Sequence, residues 1–455
     1  MSVNSASTVR RASKDDAVAT RIAQYVVDLD YNDLPQVVID NAKAAIADTV
    51  GVSLGALGEP LGQSILRFAR TEGGCGDGVV LGSDVATSCE TAALVNGTVA
   101  HALDYDDRGH ASTHVLGAAI ALAKRAPLSG KDLIAAYVAG REVRMHFNEV
   151  FDKGRFDTAG GLPGSWGWHA TGVFGSFGSV ATAARILHLS VEQTAYALGI
   201  AASLTGGVIA NFGTMTKPLH AGNAARNGVL SSLLAQQGWN ADPDVFSTVK
   251  GFVDAVTGGR RTPDPSLVAD NLASWYHTEQ QGIRVKPYPS CSGSHPYIEA
   301  TRNVLRRGPV PLDRVVRIVV PTNASLNRPY PVDALQTKFS GGFSVVATLL
   351  TGEVSMQTCT EEFRTRSDVE QLMGRIEYSA EEDGLLITIE IAGEEPIREP
   401  LPAVRNLDTA QERLRKFLSL TEPPLGADRA QSVADQLDDL EELPDISQLV
   451  VACLI

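Results

Sequence analysis

From residue 15 onward the apolar positions fall three and four apart. Ala17, Ile22, Val26 and Leu29 mark one helical face. After a break at YNDLP, Val38, Ala42, Ala45, Ile46 and Thr49 mark another, with Pro35 suited to its first turn. Residues 51–62, GVSLGALGEPLG, read as a glycine-punctuated turn. A small-residue helix is expected over 88–103, SCETAALVNGTVAHAL. Ser129 with Asp132 makes a capping-box-like start for LIAAYVAGREV, and Ser190 with Gln193 opens AYALGIAASL in the same way. Between them lie a glycine- and tryptophan-rich stretch at 156–176, which contains His169, and the helical SVATAARIL. NFGTMTKPLHAGNAARNG then leads through a Gly/Asn-rich turn into the helix VLSSLLAQQG. Up to about residue 268 no segment alternates as a strand does.

After about residue 270 the period changes to two. RVVRIVV (314–320), GRIEYS (374–379) and LLITIEI (385–391) alternate and are rich in β-branched residues, as half-buried strands are. Two helical patterns accompany them, SHPYIEATRNVLRR before the first and FSVVATLLTG between the first and the second, and helical spacing returns after LPAVRN in TAQERLRKFLSL and RAQSVADQLDDL. The fold class expected is mainly α. It comprises a disordered tail at 1–14, a large all-helical domain at 15–268, a smaller α+β domain at 269–400, and C-terminal helices at 401–455 that return to the helical domain.

Composition sets limits on function. With 455 residues, 44% hydrophobic and 20% charged, the chain has ordinary globular character and length for two domains. A net charge of −14 argues against nucleic acid and anionic membranes as partners, because both attract basic surface. An anionic substrate would need positive charge concentrated in a cleft. Five scattered cysteines without a CxxC argue against a disulfide scaffold, a zinc ribbon or an iron–sulfur cluster, and the odd count fits a reducing compartment. No apolar run reaches the roughly 18 residues of a membrane span. The opening MSVNSASTVRRASK is acid-free, as transit peptides are, but lacks a signal-peptide apolar core. We therefore expect a cytoplasmic protein. Walker A, strand-flanked GxGxxG and GxSxG patterns do not occur, which leaves nucleotide binding and α/β-hydrolase chemistry without support.

The densest chemistry lies in NGTVAHALDYDDRGHASTHVLGAAIAL, residues 96–122. Asp104, Asp106, Asp107, Arg108, His101, His110 and His114 fall within 14 residues flanked by small apolar ones. Ionisable groups crowded into apolar surroundings shift one another's pKa, which proton-transfer chemistry needs. HASTH resembles a zinc-protease spacing, but Ala111 stands where the glutamate belongs and no third ligand is well spaced. The bland reading is an N-capping acid cluster with a satisfied core histidine. Lys217 and His220 in TKPLH, ahead of a helix start, make a carboxylate- or phosphate-binding corner; alone, that lysine reads equally as a surface residue. His169 after GSWGW is either catalytic or an aromatic-stacked core histidine. In VKPYPSC, Lys286 and Cys291 sit in a proline-stiffened loop, and Cys291 is either a nucleophile or a small buried thiol. Arg328 in NRPYP is a second anion contact or a strand-end turn.

Five segments together carry a resemblance. LDYDDRGHASTH, GWHATGVFGSFGSVATAARIL, TKPLHAGNAARNG, KPYPSCSGSHPYIEA and FSGGFSVVATLL resemble, in order and spacing, the MmgE/PrpD superfamily, over about residues 15–420. That superfamily includes 2-methylcitrate dehydratase, cis-aconitate decarboxylase and iminodisuccinate epimerase. The resemblance implies a helical domain built from both chain ends, an α+β lid domain, a homodimer, and a cleft that works without metal or cofactor. By position it places the acidic-motif aspartate on Asp104, its closing histidine on His114, a second histidine on His169, the cleft lysine on Lys217 and the lid lysine on Lys286. Three positions depart from the decarboxylases: Cys291 replaces a lid histidine, Ser325 a cleft tyrosine, and Arg108 a threonine.

The resemblance thus implies acid–base chemistry at a carbon next to a carboxylate of a small di- or tricarboxylate. Lys217, Lys286 and Arg108 would bind carboxylates, His114 and His169 would move protons, and Asp104 would orient or charge them. Cys291, His220 and Arg328 complete the expected binding set. Dehydration or epimerisation is the expected outcome. The alternatives are decarboxylation of the cis-aconitate type and a non-catalytic carboxylate-binding protein that keeps the cleft.

Overall fold

The structure, a computed structural model, describes residues 17–152, 167–259, 264–270, 272–274, 276–280, 282–323, 326–379 and 385–455. The tail at 1–14, the 156–166 part of the tryptophan-rich stretch, and Ser325 lie outside the described residues. Helices come first: α1 (Val18–Asp28), α2 (Gln36–Ala56), α3 (Pro60–Glu72), α4 (Cys89–Ala102), α5 (Ala111–Ala121), α6 (Gly130–Asp152), α7 (Ala170–Ile186), α8 (Val191–Leu204), α9 (Thr216–Gln236) and α10 (Phe252–Thr257). The pattern at 15–29 becomes α1, which buries Val18, Ala19, Ile22, Ala23 and Val26. Ser190 and Gln193 close a reciprocal capping box on α8. Among the described residues no strand precedes Val315, and no helix is long and apolar enough to cross a membrane.

The second part starts with α11 (His295–Arg307), β1 (Val315–Pro321), α12 (Ala334–Thr337), α13 (Gly341–Thr351), α14 (Glu361–Arg364) and α15 (Ser367–Met373). It ends with β2 (Ile376–Ser379), β3 (Leu386–Ile391) and β4 (Ile397–Pro400). The sheet order is β2-β1-β3-β4, with β1 parallel to β2 and the other pairs antiparallel. Tyr297, Ile298, Ile318, Val320, Phe343, Val346, Ile387 and Ile389 form its own buried core. The chain then returns through α16 (Ala410–Leu425), α17 (Ala427–Asp438) and α18 (Ser447–Ala452), whose Phe417, Leu420, Leu437 and Leu449 join the core of the first helices. The fold is mainly α, with a smaller α+β part, as the periodicities predict.

Two expected turns are helix instead. Residues 51–56 continue α2, because Gly51 and Gly55 are contact points for α16: a Cβ on Gly51 would lie 2.8 Å from the Phe417 ring, and one on Gly55 3.0 Å from Leu420. Residues 221–228 likewise continue α9. A Cβ on Gly222 would meet the Leu94 carbonyl of α4 at 2.3 Å, and one on Gly228 would meet Ser179 of α7 at 2.3 Å. Glycine costs a helix about 1 kcal/mol relative to alanine. Here the loss is offset by backbones packed too closely for any side chain. α4, α5, α7 and α9 are therefore buried nearly all round, and side chains at their ends converge on one place.

Candidate active site

The loop between α4 and α5 (103–110) carries the acidic motif in an unfavourable backbone. Asp104 (φ 51), Gly109 (φ 95) and His110 (φ 58) are all left-handed. Such geometry costs a non-glycine residue roughly 1–2 kcal/mol. It persists because distant groups grip the loop. The Arg108 amide donates to the Arg284 carbonyl at 2.8 Å, Lys286 Nζ to the Asp104 carbonyl at 2.7 Å, Lys338 Nζ to the Leu103 carbonyl at 3.0 Å, and Lys416 Nζ to the Tyr105 carbonyl at 2.6 Å. Arg141 of α6 donates to Asp107 Oδ2 at 3.2 Å. Lys416 is itself paired with buried Asp48 at 2.7 Å.

Asp104 is the centre of charge. Its Oδ1 accepts from Lys286 Nζ at 2.5 Å, and its Oδ2 accepts from Lys217 Nζ. Burial pushes the Asp104 carboxyl up, but the two lysines more than offset this and hold it well below the usual carboxylate range. Burial pushes Lys286 down, and Asp104 and Asp106 reverse that, so its pKa is raised. Lys217 sits in the first turn of α9, with Nζ 5.1 Å and 4.9 Å from the ring centres of Phe212 and Phe339. Both lysine side chains are buried, at 2% and 0% exposure, so neither charge is dispersed by water. One carboxylate against two ammoniums leaves a net positive charge.

Around this triad stands a group of imidazoles. His101 Nδ1 lies 2.9 Å from Asp106 Oδ1 and His110 Nδ1 2.6 Å from Asp106 Oδ2. An ionised carboxylate only accepts, so both rings donate from Nδ1–H. His101 lies 4.3 Å from His110 and 6.2 Å from His169 between ring centres, and His169 lies 5.2 Å from His220. His169 Nδ1 and His220 Nδ1 are 3.0 Å apart, one donating and one accepting. Burial, reinforced by the neighbouring lysines and histidines, pushes His169 well below its ordinary value, His110 to about 3 and His220 to about 4. At neutral pH these rings are uncharged bases.

Of the predicted residues, Asp104, His169, Lys217, His220 and Lys286 come together here. Cys291 is buried at 9% exposure, and Asp104, Lys217 and Lys286 act on its thiol; burial raises that thiol's pKa. Arg108 is half-buried on the gripped loop and is pushed down by burial and by Arg284. Arg328 instead packs along Gly213: a Cβ there would meet the Arg328 Cγ at 2.7 Å. His114 is set back from the triad. It is fully buried in α5 against Gly175 and Gly178 of α7, with Nδ1 3.3 Å from Ser179 Oγ. His110 is the left-handed N-cap of α5, so HASTH is not a helical pair of histidines.

Four further residues join the site. His101 and His110, which the resemblance leaves without a role, are bound to Asp106 beside the triad. Lys338 and His295 carried only weak signals. Lys338 adjoins FSGGF, and His295 lies in SGSHP, where it is buried 3.2 Å from the Ser290 carbonyl and pushed to about 3 by burial. A cavity of 470 Å³ lined by Leu103, Thr214, Met215, Leu335, Lys338 and Cys359 adjoins the site.

His101, Asp104, Asp106 and His110 place ligand-type atoms within 4.8 Å of one another, a spacing a metal accepts. The donor set does not suit one. Both Asp104 oxygens are held by lysines and both Asp106 oxygens by ring N–H groups, so a cation would have to displace two ammoniums.

Two family models match the chain. The MmgE/PrpD N-terminal domain matches residues 20–264 and the MmgE/PrpD C-terminal domain residues 288–384. Cis-aconitate decarboxylase of Homo sapiens is 29% identical over 445 residues, covering 90% of this chain and 89% of that protein. The protein of the same name from Mus musculus is 28% identical over 469 residues (95% and 92%), and that from Aspergillus terreus 26% over 482 residues (95% and 95%).

Proposed function

The chain belongs to the MmgE/PrpD family, and from that footing we propose that it is a cofactor-independent acid–base enzyme acting at a carbon next to a carboxylate of a small di- or tricarboxylate. The observation that carries this reading is the Asp104–Lys217–Lys286 triad beside uncharged imidazoles. A buried net positive charge binds a carboxylate. It also stabilises the enediolate that forms when the neighbouring C–H bond breaks. His169 takes the proton, and Asp104 holds the lysines apart and in place. In dehydration the electron pair of the broken C–H bond expels a β-hydroxyl, which leaves as water on taking the proton that His169 has just accepted. In epimerisation a donor on the opposite face returns the proton, and Cys291 is suited to that role because its raised pKa keeps the thiol protonated. Arg108, half-buried on the gripped loop, receives a second substrate carboxylate.

Decarboxylation is the second reading, favoured by the names of the relatives. There the bond to a carboxyl carbon breaks, carbon dioxide leaves, and the electron pair ends on a carbon that takes a proton from the protonated Cys291 thiol. A homodimer is part of the proposal. It is supported by Phe68, Met215 and Leu219, exposed along a groove of 830 Å³ that reaches His220. A cytoplasmic placement is likewise part of the proposal, from the few, scattered cysteines of the sequence.

The test is incubation in D2O with citrate, 2-methylcitrate, cis-aconitate and iminodisuccinate, followed by NMR. Deuterium uptake or conversion of one acid is expected. Tight binding of an acid with neither change would overturn the enzyme reading in favour of a carboxylate-binding protein.

A further inference from the structure

Outside this site, α6 carries Glu142, His146 and Glu149 four and three residues apart, which places them on one side of the helix. The turn at 276–280 lies over that side. The Thr278 amide donates to Glu142 Oε1 at 2.8 Å and its hydroxyl donates to the same oxygen. The His277 ring meets the His146 ring edge-on, centroids 4.9 Å apart. Glu142, His146 and His277 each offer a ligand-type atom, and these atoms lie within 4.8 Å of one another.

Two atoms in this cluster lack a partner. Glu142 Oε2 and His146 Nε2 are buried without a hydrogen bond among the described residues, in side chains 0% and 9% exposed. They face each other at 3.7 Å, too far to bond directly. A buried carboxylate oxygen and ring nitrogen left so are costly. Tetrahedral zinc, with ligands at about 2.1 Å, holds its donor atoms roughly 3.4 Å apart.

We propose that Glu142, His146 and His277 form a buried site for a divalent transition metal, zinc first, that ties α6 to the turn at 276–280. Two imidazoles and one carboxylate are a zinc donor set. Thr278 orients the carboxylate from outside the donor set, and Glu149, 3.1 Å from His277 Nε2, orients that ring. Arg141 also faces Glu142, but its guanidinium is committed to Asp107 and to the Gly282 carbonyl. The site thus fixes the start of the segment that carries Arg284 and Lys286. It is separate from the acid–base centre and does not depend on the function proposed for that centre.

The experiment uses full-length protein. After prolonged chelation and dialysis, zinc is returned and metal content is measured by mass spectrometry. Cobalt(II) replaces zinc in a parallel sample to read the visible bands of a tetrahedral site, and melting is followed with and without zinc. About one equivalent per chain is expected, with a rise in melting temperature. Glu142→Gln and His146→Gln, close to the native side chains in size, should weaken binding at least about tenfold. They should also abolish the zinc-dependent melting shift. Asp106→Asn should leave the equivalent in place. Wild-type protein that retains no zinc would overturn the proposal. So would unchanged binding in the Glu142 and His146 variants, or loss of the equivalent in Asp106→Asn.

Discussion

Asp104→Asn is the sharpest test of the triad. Asparagine tolerates the left-handed backbone at this position, so the substitution removes charge without adding strain. It leaves Lys217 and Lys286 buried and facing each other without their carboxylate. Breaking a buried ion pair by removing one partner costs about 3–5 kcal/mol. Two like charges roughly 4–5 Å apart repel by about 3–4 kcal/mol at an effective dielectric of 20. Deprotonating one lysine limits the damage: bringing its pKa from about 10.4 to 7 costs about 4–5 kcal/mol at 1.36 kcal/mol per unit. The estimates agree, and they set a sign. In the variant a lysine's folded pKa falls below its unfolded value, so the penalty is fullest at low pH and shrinks as pH rises through that folded pKa towards about 10. Urea unfolding of wild type, Asp104→Asn and Asp104→Asn/Lys286→Met at acid, neutral and alkaline pH reads both quantities. The single variant should lose about 3–5 kcal/mol at neutral pH and less at alkaline pH, and the double variant should regain part of the loss. A double variant no more stable than the single, with a deficit that does not change with pH, would refute the electrostatic account.

Lys217→Met should lower turnover at least about 100-fold while circular dichroism stays native; near-normal activity would remove the lysine from the chemistry. The acid limb of kcat/KM should fall well below pH 6, because burial holds His169 low and His220 at about 4 and the uncharged ring is lost only as pH drops through those values; a limb at about 6.5 would mean a solvated imidazole is the base. His114→Ala should open a cavity against Gly175 and Gly178 and cost about 2–4 kcal/mol, and turnover per folded molecule, measured after correcting for unfolded protein, decides whether the ring also takes part. Brief exposure to EDTA should leave turnover unchanged, since both carboxylates of the centre are held by nitrogen donors; immediate inhibition reversed by a divalent ion would contradict that.

What the sequence shows of this fold follows from how local each feature is. β1, β2 and β3 alternate because each strand has one buried face, and they are read directly. β4, IREP, escapes notice as a short, charged edge strand that pairs only with β3. Gly51 and Gly55 are misread as a turn because glycine serves both turns and close helix contacts, and the deciding partner, α16, is some 360 residues downstream. Lys338 and Lys416 pass for surface lysines for the same reason. Their acceptors are main-chain carbonyls at 103 and 105, which no local pattern announces. The histidines are harder still. Spacing alone made His110 and His114 equals, and resemblance then favoured His114. The hydrogen bonds instead join His101 and His110 to Asp106, a pairing that depends on the left-handed backbone at 104 and 110.

That backbone links the shape of the site to the separation of the two parts of the molecule. The loop at 103–110 is unfavourable on its own, and its grips come from two directions. Arg141 and Lys416 belong to the helical core, whereas Lys286 and Lys338 come from the segments leading into and through the α+β part. Under the function proposed above, the triad, buried as it is, would admit a carboxylate only if the second set let go. That opening would take one of the two cations from Asp104 and two of the grips from a strained loop, and a carboxylate that drew Lys286 and Lys338 back would reassemble the acid–base centre as it is captured.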